Sequence, residues 1–233
     1  MQARYSKEIH RIMLISSAAN FMKQNQGHFK GGKCCDLGDQ GVFDAKYTSE
    51  IFGLDFEGLN KYQSMDLLYS HLGYKRTFVD IKDKGIKLDL NYSIKTSINN
   101  HGAFDLVTNH GTSEHIFNQA SCFEAIHLLT RNKGVMFHSL NCQGWADNNG
   151  LGHGFYMYQP QFIKLLAKAN GYKVIDLKYS PSSVLPDLLE LTPENYPLIS
   201  NPRNYKEAFP HFSLLIVLLQ KTSSNDFVFP EEY

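Results

Sequence analysis

The apolar positions of this chain switch repeatedly between helical and strand spacing. From residue 4 to 26, Ile9, Ile12, Met13, Ile15, Phe21 and Met22 recur at helical intervals, and Gly27 stands where a helix would stop. Cys34, Cys35 and Leu37 then make a short apolar run, which Asp39-Gln40-Gly41 breaks. That pattern predicts a buried strand ending in a tight turn. Residues 42–59 are apolar and aromatic with Gly53 and Gly58 as breakers, and predict a short helix and a loop. Residues 61–72 put Tyr62, Met65, Leu68, Tyr69 and Leu72 on one helical face, capped by Gly73. Strands are expected over 74–80, 86–91 and 104–109, followed by a helix over 116–129. Lys133-Gly134 turns the chain into a strand over 135–140. Residues 141–154 are rich in Gly, Asn and Asp and contain the only tryptophan, Trp145. An irregular stretch of that length is usually functional. A helix over 159–169 and a strand over 172–177 follow. Residues 179–210 hold six of the eight prolines and predict an excursion, with a short helix within 184–191. The run from Phe212 to Leu219 is almost wholly apolar, as a strand buried on both faces requires.

Strands that alternate with helices build a mostly parallel sheet with helices on both faces, a doubly wound Rossmann-like α/β fold. The expected organisation is a helical cap over 1–31, an α/β domain over 32–221 with insertions at about 42–59 and 179–210, and a frayed polar tail over 222–233. Such sheets bind ligands just beyond the carboxyl ends of their strands. That points to Asp36-Leu37-Gly38-Asp39-Gln40-Gly41 after the first strand and to Asp80-Ile81 after the second. A carboxylate at the second place accepts hydrogen bonds from paired ribose hydroxyls. The two acids are 44 residues apart, against about 20 in the common dinucleotide fingerprint, and the insertion at 42–59 accounts for the excess.

Composition narrows the partners. The 233 residues carry 23 basic and 23 acidic side chains, so bulk charge gives no basis for binding nucleic acid or an acidic membrane. The four cysteines, Cys34, Cys35, Cys122 and Cys142, have neither disulfide-framework nor zinc-site spacing and are expected as buried thiols. The first ten residues lack the apolar run of a signal peptide, and the apolar run at 214–219 is too short to cross a bilayer. A soluble cytoplasmic protein is expected.

In order, these signals resemble those of the class I S-adenosylmethionine-dependent methyltransferases over roughly residues 33–220. Asp36-Leu37-Gly38-x-x-Gly41 is similar to their first motif, Asp80 to the acid after the second strand, and Asp89-Leu90 to the acid and apolar residue beside adenine. Phe104-Asp-Leu-Val-Thr-Asn109 resembles their fourth-strand motif and Glu114-His115 the pair that often follows it. Lys133-Gly134 matches the glycine turn before the fifth strand, and His153-Gly-Phe-Tyr156 the start of the last α/β unit. The resemblance implies seven strands with the last antiparallel, and S-adenosylmethionine as cofactor. It implies cofactor contacts from Asp36, Leu37, Gly38, Asp39, Gln40, Gly41, Asp80, Ile81, Asp89, Leu90, Asn109, Gly111 and Thr112. One departure stands out: Gln40 replaces the middle glycine of the first motif. Its amide would either contact the cofactor or weaken its binding.

Methyl transfer from a sulfonium is an in-line displacement with a good leaving group, so the protein's main task is positioning. A base is needed when the acceptor carries a proton, and histidine is the usual choice. His115, His138 and His153 are the candidates, His153 first among them. Glu114, His115 and His153 also resemble part of the metal site of small-RNA 3′-end methyltransferases. Gly111 stands where the first glutamate ligand of that site belongs, and no metal is expected. The acceptor is expected to be a small molecule or glycan, on the neutral charge and on Trp145, Phe155, Tyr156 and Tyr158. A non-catalytic methyltransferase-like binding module is the alternative. A nicotinamide-dependent oxidoreductase would want Gly-x-Gly-x-x-Gly opening a helix, which Asp39-Gln40 does not supply.

Overall fold

The computed structural model describes residues 13–81, 85–95, 102–143, 154–181, 186–195 and 213–231. Their central feature is an eight-stranded sheet. In chain order its strands are β2 (Gly32–Leu37), β4 (Tyr74–Asp80), β5 (Ile86–Lys87), β6 (Phe104–His110), β7 (Thr130–Gln143), β8 (Lys173–Ser180), β9 (Leu189–Glu190) and β10 (Ser213–Gln220). Across the sheet the order is β5-β4-β2-β6-β7-β10-β8-β9. Neighbours from β5 to β7 are parallel, and β10 runs antiparallel to both β7 and β8. This is the expected doubly wound fold with its antiparallel late strand, but with eight strands rather than seven. The extra one is β9, a two-residue edge strand antiparallel to β8. It lies where a short helix is expected, and the Lys178–Glu190 ion pair fastens it across the ladder.

Two further two-residue strands, β1 (Met13–Leu14) and β3 (Gly41–Val42), pair with each other in parallel outside the main sheet. The helix expected over 4–26 is therefore shorter among the described residues. It is α1 (Ser16–Gln24), because the backbone just before it is taken by the ladder to Gly41 and Val42. The remaining helices are α2 (Ala45–Phe52), α3 (Lys61–His71), α4 (Gln119–Leu129) and α5 (Pro160–Asn170). Asn60 starts α3 with a capping box in which its side chain accepts from Tyr62 and Gln63 N–H, and Gln63 answers with Oε1 to Asn60 N–H.

The sheet separates two apolar layers. On one face, Cys34, Leu106, Phe137 and Ile216 pack against Phe21 and Met22 of α1, Phe52 of α2 and Met65 and Leu68 of α3. On the other, Cys35, Val107, Met136 and Val217 pack against Phe123 and Ile126 of α4 and Ile163 and Leu166 of α5. Seven of the eight β10 residues are buried, which explains their apolar run.

Three further boundaries depart from expectation for local reasons. The third strand stops at Lys87 because Asp89 Oδ1 accepts from both the backbone and the side chain of Asn91 and turns the chain. Strand β7 is longer than expected because Lys133-Gly134 is a bulge inside it. Phe104 pairs with Thr130 but Leu106 with Val135, and Lys133 takes a positive φ of 66°. The tail packs rather than frays. Val228 N–H donates to Asn170 Oδ1, Asn225 O lies 2.7 Å from His127 Nε2, and Phe227 is buried in the α4–α5 layer. Replacing Phe227 by alanine is expected to destabilise the protein by about 3–5 kcal/mol, the usual cost of emptying a buried aromatic site. A frayed tail would leave the urea midpoint unchanged.

Candidate functional site

The sheet brings the expected cofactor residues to one edge. The loop after β2 turns at Gly38, whose φ of 80° is open to glycine at no cost, and Gly38 N–H donates to Val79 O at 2.8 Å. The loop thus leans on the end of β4, where Asp80 sits. Asp80 O in turn accepts from Leu88 N–H, which places Asp89 and Leu90 next along the same edge. Leu90 is buried, whereas Ile81 and Asp89 are exposed. From the other side, the tip of β6 closes on the loop when the Thr112 hydroxyl donates to Leu37 O. Asn109 Oδ1 accepts from Thr112 and Ser113 N–H and shapes that tip.

Beneath the loop lies a buried charge network. Asp36 is fully buried, and its Oδ2 meets Arg76 Nε at 2.5 Å, while Thr108 Oγ1 donates to Oδ1. Arg76 projects from β4 on the same face and spends its remaining donors on Asp66 of α3 (2.8 Å), Gln40 O (2.7 Å) and Asp39 (3.4 Å). Burial holds the Asp36 carboxyl above its ordinary range, with Arg76 and Thr108 pulling the other way. Burial also works against the Arg76 charge, and Asp36 and Asp66 outweigh it and push the guanidinium up. Gln40 belongs to this network. Its side chain is turned under the loop, with Nε2 donating to Leu37 O at 2.9 Å and Oε1 accepting from Thr108 at 3.3 Å. The substituted glycine position is therefore filled from below, and the amide is spent on the protein. Lys61 packs over Gly41.

The catalytic candidates are scattered. His153 and Trp145 lie outside the described residues. His115 is exposed in a 3-10 turn, Ser113–His115. His138 is buried in β7, level with Asn109, whose Nδ2 lies 3.4 Å from His138 Nδ1. Burial lowers its pKa to about 4, and His110 on the opposite face is lowered to about 3 by burial and by His138. Both are neutral in the fold. Glu114 is the acid that sequence reading passed over as an acid in its own right. It is buried, a Cβ built on Gly111 would lie 3.2 Å from its Oε1, and Gly154 packs against its side chain. Burial pushes its pKa up to about 8. Next to it Ser113 Oγ accepts from Asn109 Nδ2 (2.9 Å) and from the Tyr158 hydroxyl (2.9 Å), which also lies 2.6 Å from Gln119 Oε1. Arg76 is the other residue missed. Its signal was a charge between Tyr74 and Phe78 on the inward alternation of a strand.

Two predictions follow from these energetics. Arg76→Met leaves Asp36 buried without its partner and is expected to cost about 3–5 kcal/mol in urea unfolding, with much of the loss recovered in the Asp36→Asn/Arg76→Met double variant. Glu114 binds its proton more tightly folded than unfolded, so its stabilisation is complete below pH 4.5 and lost as pH rises toward 8. His110 and His138 act with the opposite sign, their stabilisation present above pH 6.5 and lost as pH falls through about 4 and 3. Between pH 6.5 and pH 8 the unfolding free energy is expected to fall by about 1 kcal/mol per pH unit in the wild type relative to Glu114→Gln. Parallel profiles for the two proteins would refute the assignment.

Among the described residues, no group of three or more His, Cys, Asp or Glu side chains is arranged to hold a metal ion, and no helix is long and apolar enough to cross a membrane. No protein-family model matches this chain, and neither does the sequence of any curated protein. Solved structures do match. Geranyl diphosphate methyltransferase in complex with S-adenosylmethionine superposes with a TM-score of 0.52 at 13% identity, over 88% of this chain and 85% of that one. A SAM-dependent methyltransferase from Archaeoglobus fulgidus gives 0.51 at 12%, over 87% of this chain and 92% of that one. Identities this low speak to architecture, and the architecture of this chain is the class I S-adenosylmethionine-dependent methyltransferase fold.

Proposed function

We propose that this protein is an S-adenosylmethionine-dependent methyltransferase acting on a small-molecule acceptor. The observation that carries the reading is the convergence at the carboxyl edge of the sheet. The Gly38 loop, Asp80, Asp89-Leu90 and the Asn109–Thr112 tip are joined through Gly38 N to Val79 O, Leu88 N to Asp80 O and Thr112 Oγ1 to Leu37 O. The donor set fits the cofactor. Asp80 has the chemistry to accept from ribose hydroxyls, Ile81 and Leu90 supply apolar surface for a purine, and the backbone of the Gly38 turn suits close approach to the amino-acid moiety. Gln40, turned under the loop, leaves the upper side of that turn to backbone. When bound, the cofactor supplies a methyl group activated by a sulfonium. The protein's own part is to orient the acceptor and to take up its proton. Glu114, beside the β6 tip, joins His115 and His153 as a candidate for that task.

The same Gln40 geometry also favours the second reading, a methyltransferase-like module that binds without catalysis, because the amide fastens Leu37 O and Thr108 and stiffens the loop. Titration separates the two. S-adenosylmethionine or its demethylated product at about 100 times its dissociation constant stabilises by about 2.7 kcal/mol. That corresponds to a rise in melting temperature of about 5–10 °C for a chain of this size. Asp80→Ala is expected to weaken binding at least tenfold. No shift at millimolar ligand sinks the cofactor assignment. Binding without label transfer to any component of a small-molecule extract favours the module.

A further inference from the structure

Beyond Thr112 the chain builds a surface that the cofactor reading does not use. Phe117 and Phe155 are 72% and 66% exposed and stand edge to face with ring centroids 6.0 Å apart. Tyr92 at 71% and Met157 at 62% are exposed in the same way. An exposed aromatic pair with further exposed apolar side chains on the adjoining segments is a costly use of surface unless something covers it.

They are not loosely placed. Phe155 N–H donates to Glu114 O at 2.6 Å, and the Tyr156 hydroxyl donates to Phe117 O at 2.8 Å, so the two ring-bearing segments are tied across the gap. Asn118 N–H and Nδ2 bond to Asn91 Oδ1 and O, which ties the chain beside Tyr92 to the chain beside Phe117. The surface is continuous with the cofactor edge, since Thr112 reaches Leu37 O and Glu114 follows two residues later.

The chemistry around the rings specifies an occupant. Across 111–119 and 154–159 the only acidic or basic side chains are Glu114, which is buried, and His115. An ionic acceptor finds little countercharge along those two stretches, and beside Tyr92 the charges are engaged, Asp89 with Asn91 and Lys95 with Glu124. Most of the polar side chains are already committed within the protein. Gln119 bonds to Ser113 O, Ile116 O and Tyr158, Asn118 bonds to Asn91, and the Tyr156 hydroxyl bonds to Phe117 O. A sugar, which needs several free donors and acceptors, is poorly served. A flat neutral ring is well served, because aromatic pairs gain from edge and offset contacts beyond the area they bury.

We propose that Tyr92, Phe117, Phe155 and Met157 form the acceptor wall of this protein, and that the acceptor is a neutral aromatic or similarly conjugated small molecule. The assignment as an acceptor wall rests on the methyltransferase reading; the aromatic preference of the wall does not.

The test uses the full chain and three probes: 1-naphthol, its anionic counterpart 1-naphthoate, and methyl β-glucoside. Each is titrated calorimetrically into the wild type and into Phe117→Ala/Phe155→Ala, with S-adenosylmethionine titrated in parallel. The expected result is that 1-naphthol binds at least tenfold more tightly than either competitor. The double variant is expected to lose at least tenfold for 1-naphthol while S-adenosylmethionine affinity and melting temperature hold. Phe117→Leu/Phe155→Leu keeps apolar area without rings, is expected to lose naphthol affinity too, and decides the matter if the alanine variant is misfolded. Equal affinity for naphthol in wild type and leucine variant, or preference for the glucoside or the naphthoate, overturns the proposal while leaving the cofactor reading intact. Naphthol binding to a wild type that does not bind S-adenosylmethionine overturns the assignment as an acceptor wall and the methyltransferase reading with it.

Discussion

The Asp36–Arg76 pair is the constraint around which the rest of the site is arranged. A carboxylate with no exposure at all, at the end of a central strand, must be matched or it will not stay charged. Arg76 matches it and is itself nearly enclosed, so its remaining donors have to be used as well. They reach an acid on α3, an acid in the loop and the loop's own carbonyl at Gln40. One guanidinium therefore fixes where β4, α3 and the turn after β2 lie relative to one another. The glutamine at the glycine position follows from the same demand. The single Thr108 hydroxyl proton is shared between Asp36 Oδ1 and the more distant Gln40 Oε1, and the amide nitrogen of Gln40 then closes on Leu37 O.

Much of the scaffold could be read in the sequence. The second strand ends at Asp80 as expected, α3 differs by one residue, and the apolar run before Gln220 fills the strand between β7 and β8. These elements are legible because burial on one face or two leaves a periodic trace in residues that are close in sequence. The failures share the opposite property. Met13–Leu14 belong to a ladder whose partner is 28 residues away, and two residues are too few to break a helical pattern. Leu189–Glu190 are a strand only because β8 is beside them. The turn at Asp89 could have been read from Asp-Leu-Asn, since an aspartate two residues before an asparagine is a turn former.

For the site, strand-end logic pointed to the loop and Asp80 and the resemblance to the Asn109–Thr112 tip, and hydrogen bonds join the three in the fold. The role of Gln40 was not, because its side-chain partner Thr108 is 68 residues away. Glu114 escaped notice as an acid because nothing local reports its burial. Its surroundings come from Gly111, Gly154 and the backbone at Phe155, and only the assembled fold removes its water. The buried histidines show the same contrast. His110 ends β6 and His138 lies within the adjacent β7 on the opposite face, and burial keeps both neutral, with His138 adding to the effect on His110.

The position of β10 has a consequence for how the chain is made. It lies between β7 and β8, so both of those strands are synthesised well before the partner that joins them. Until residues 213–220 leave the ribosome, β7 and β8 each present an unpaired edge, and the two halves of the sheet have no direct ladder between them. The apolar run that completes both cores arrives last of the described strands. Assembly of this sheet is therefore decided by a late insertion, and the nascent chain is most vulnerable to misassociation in the interval just before it.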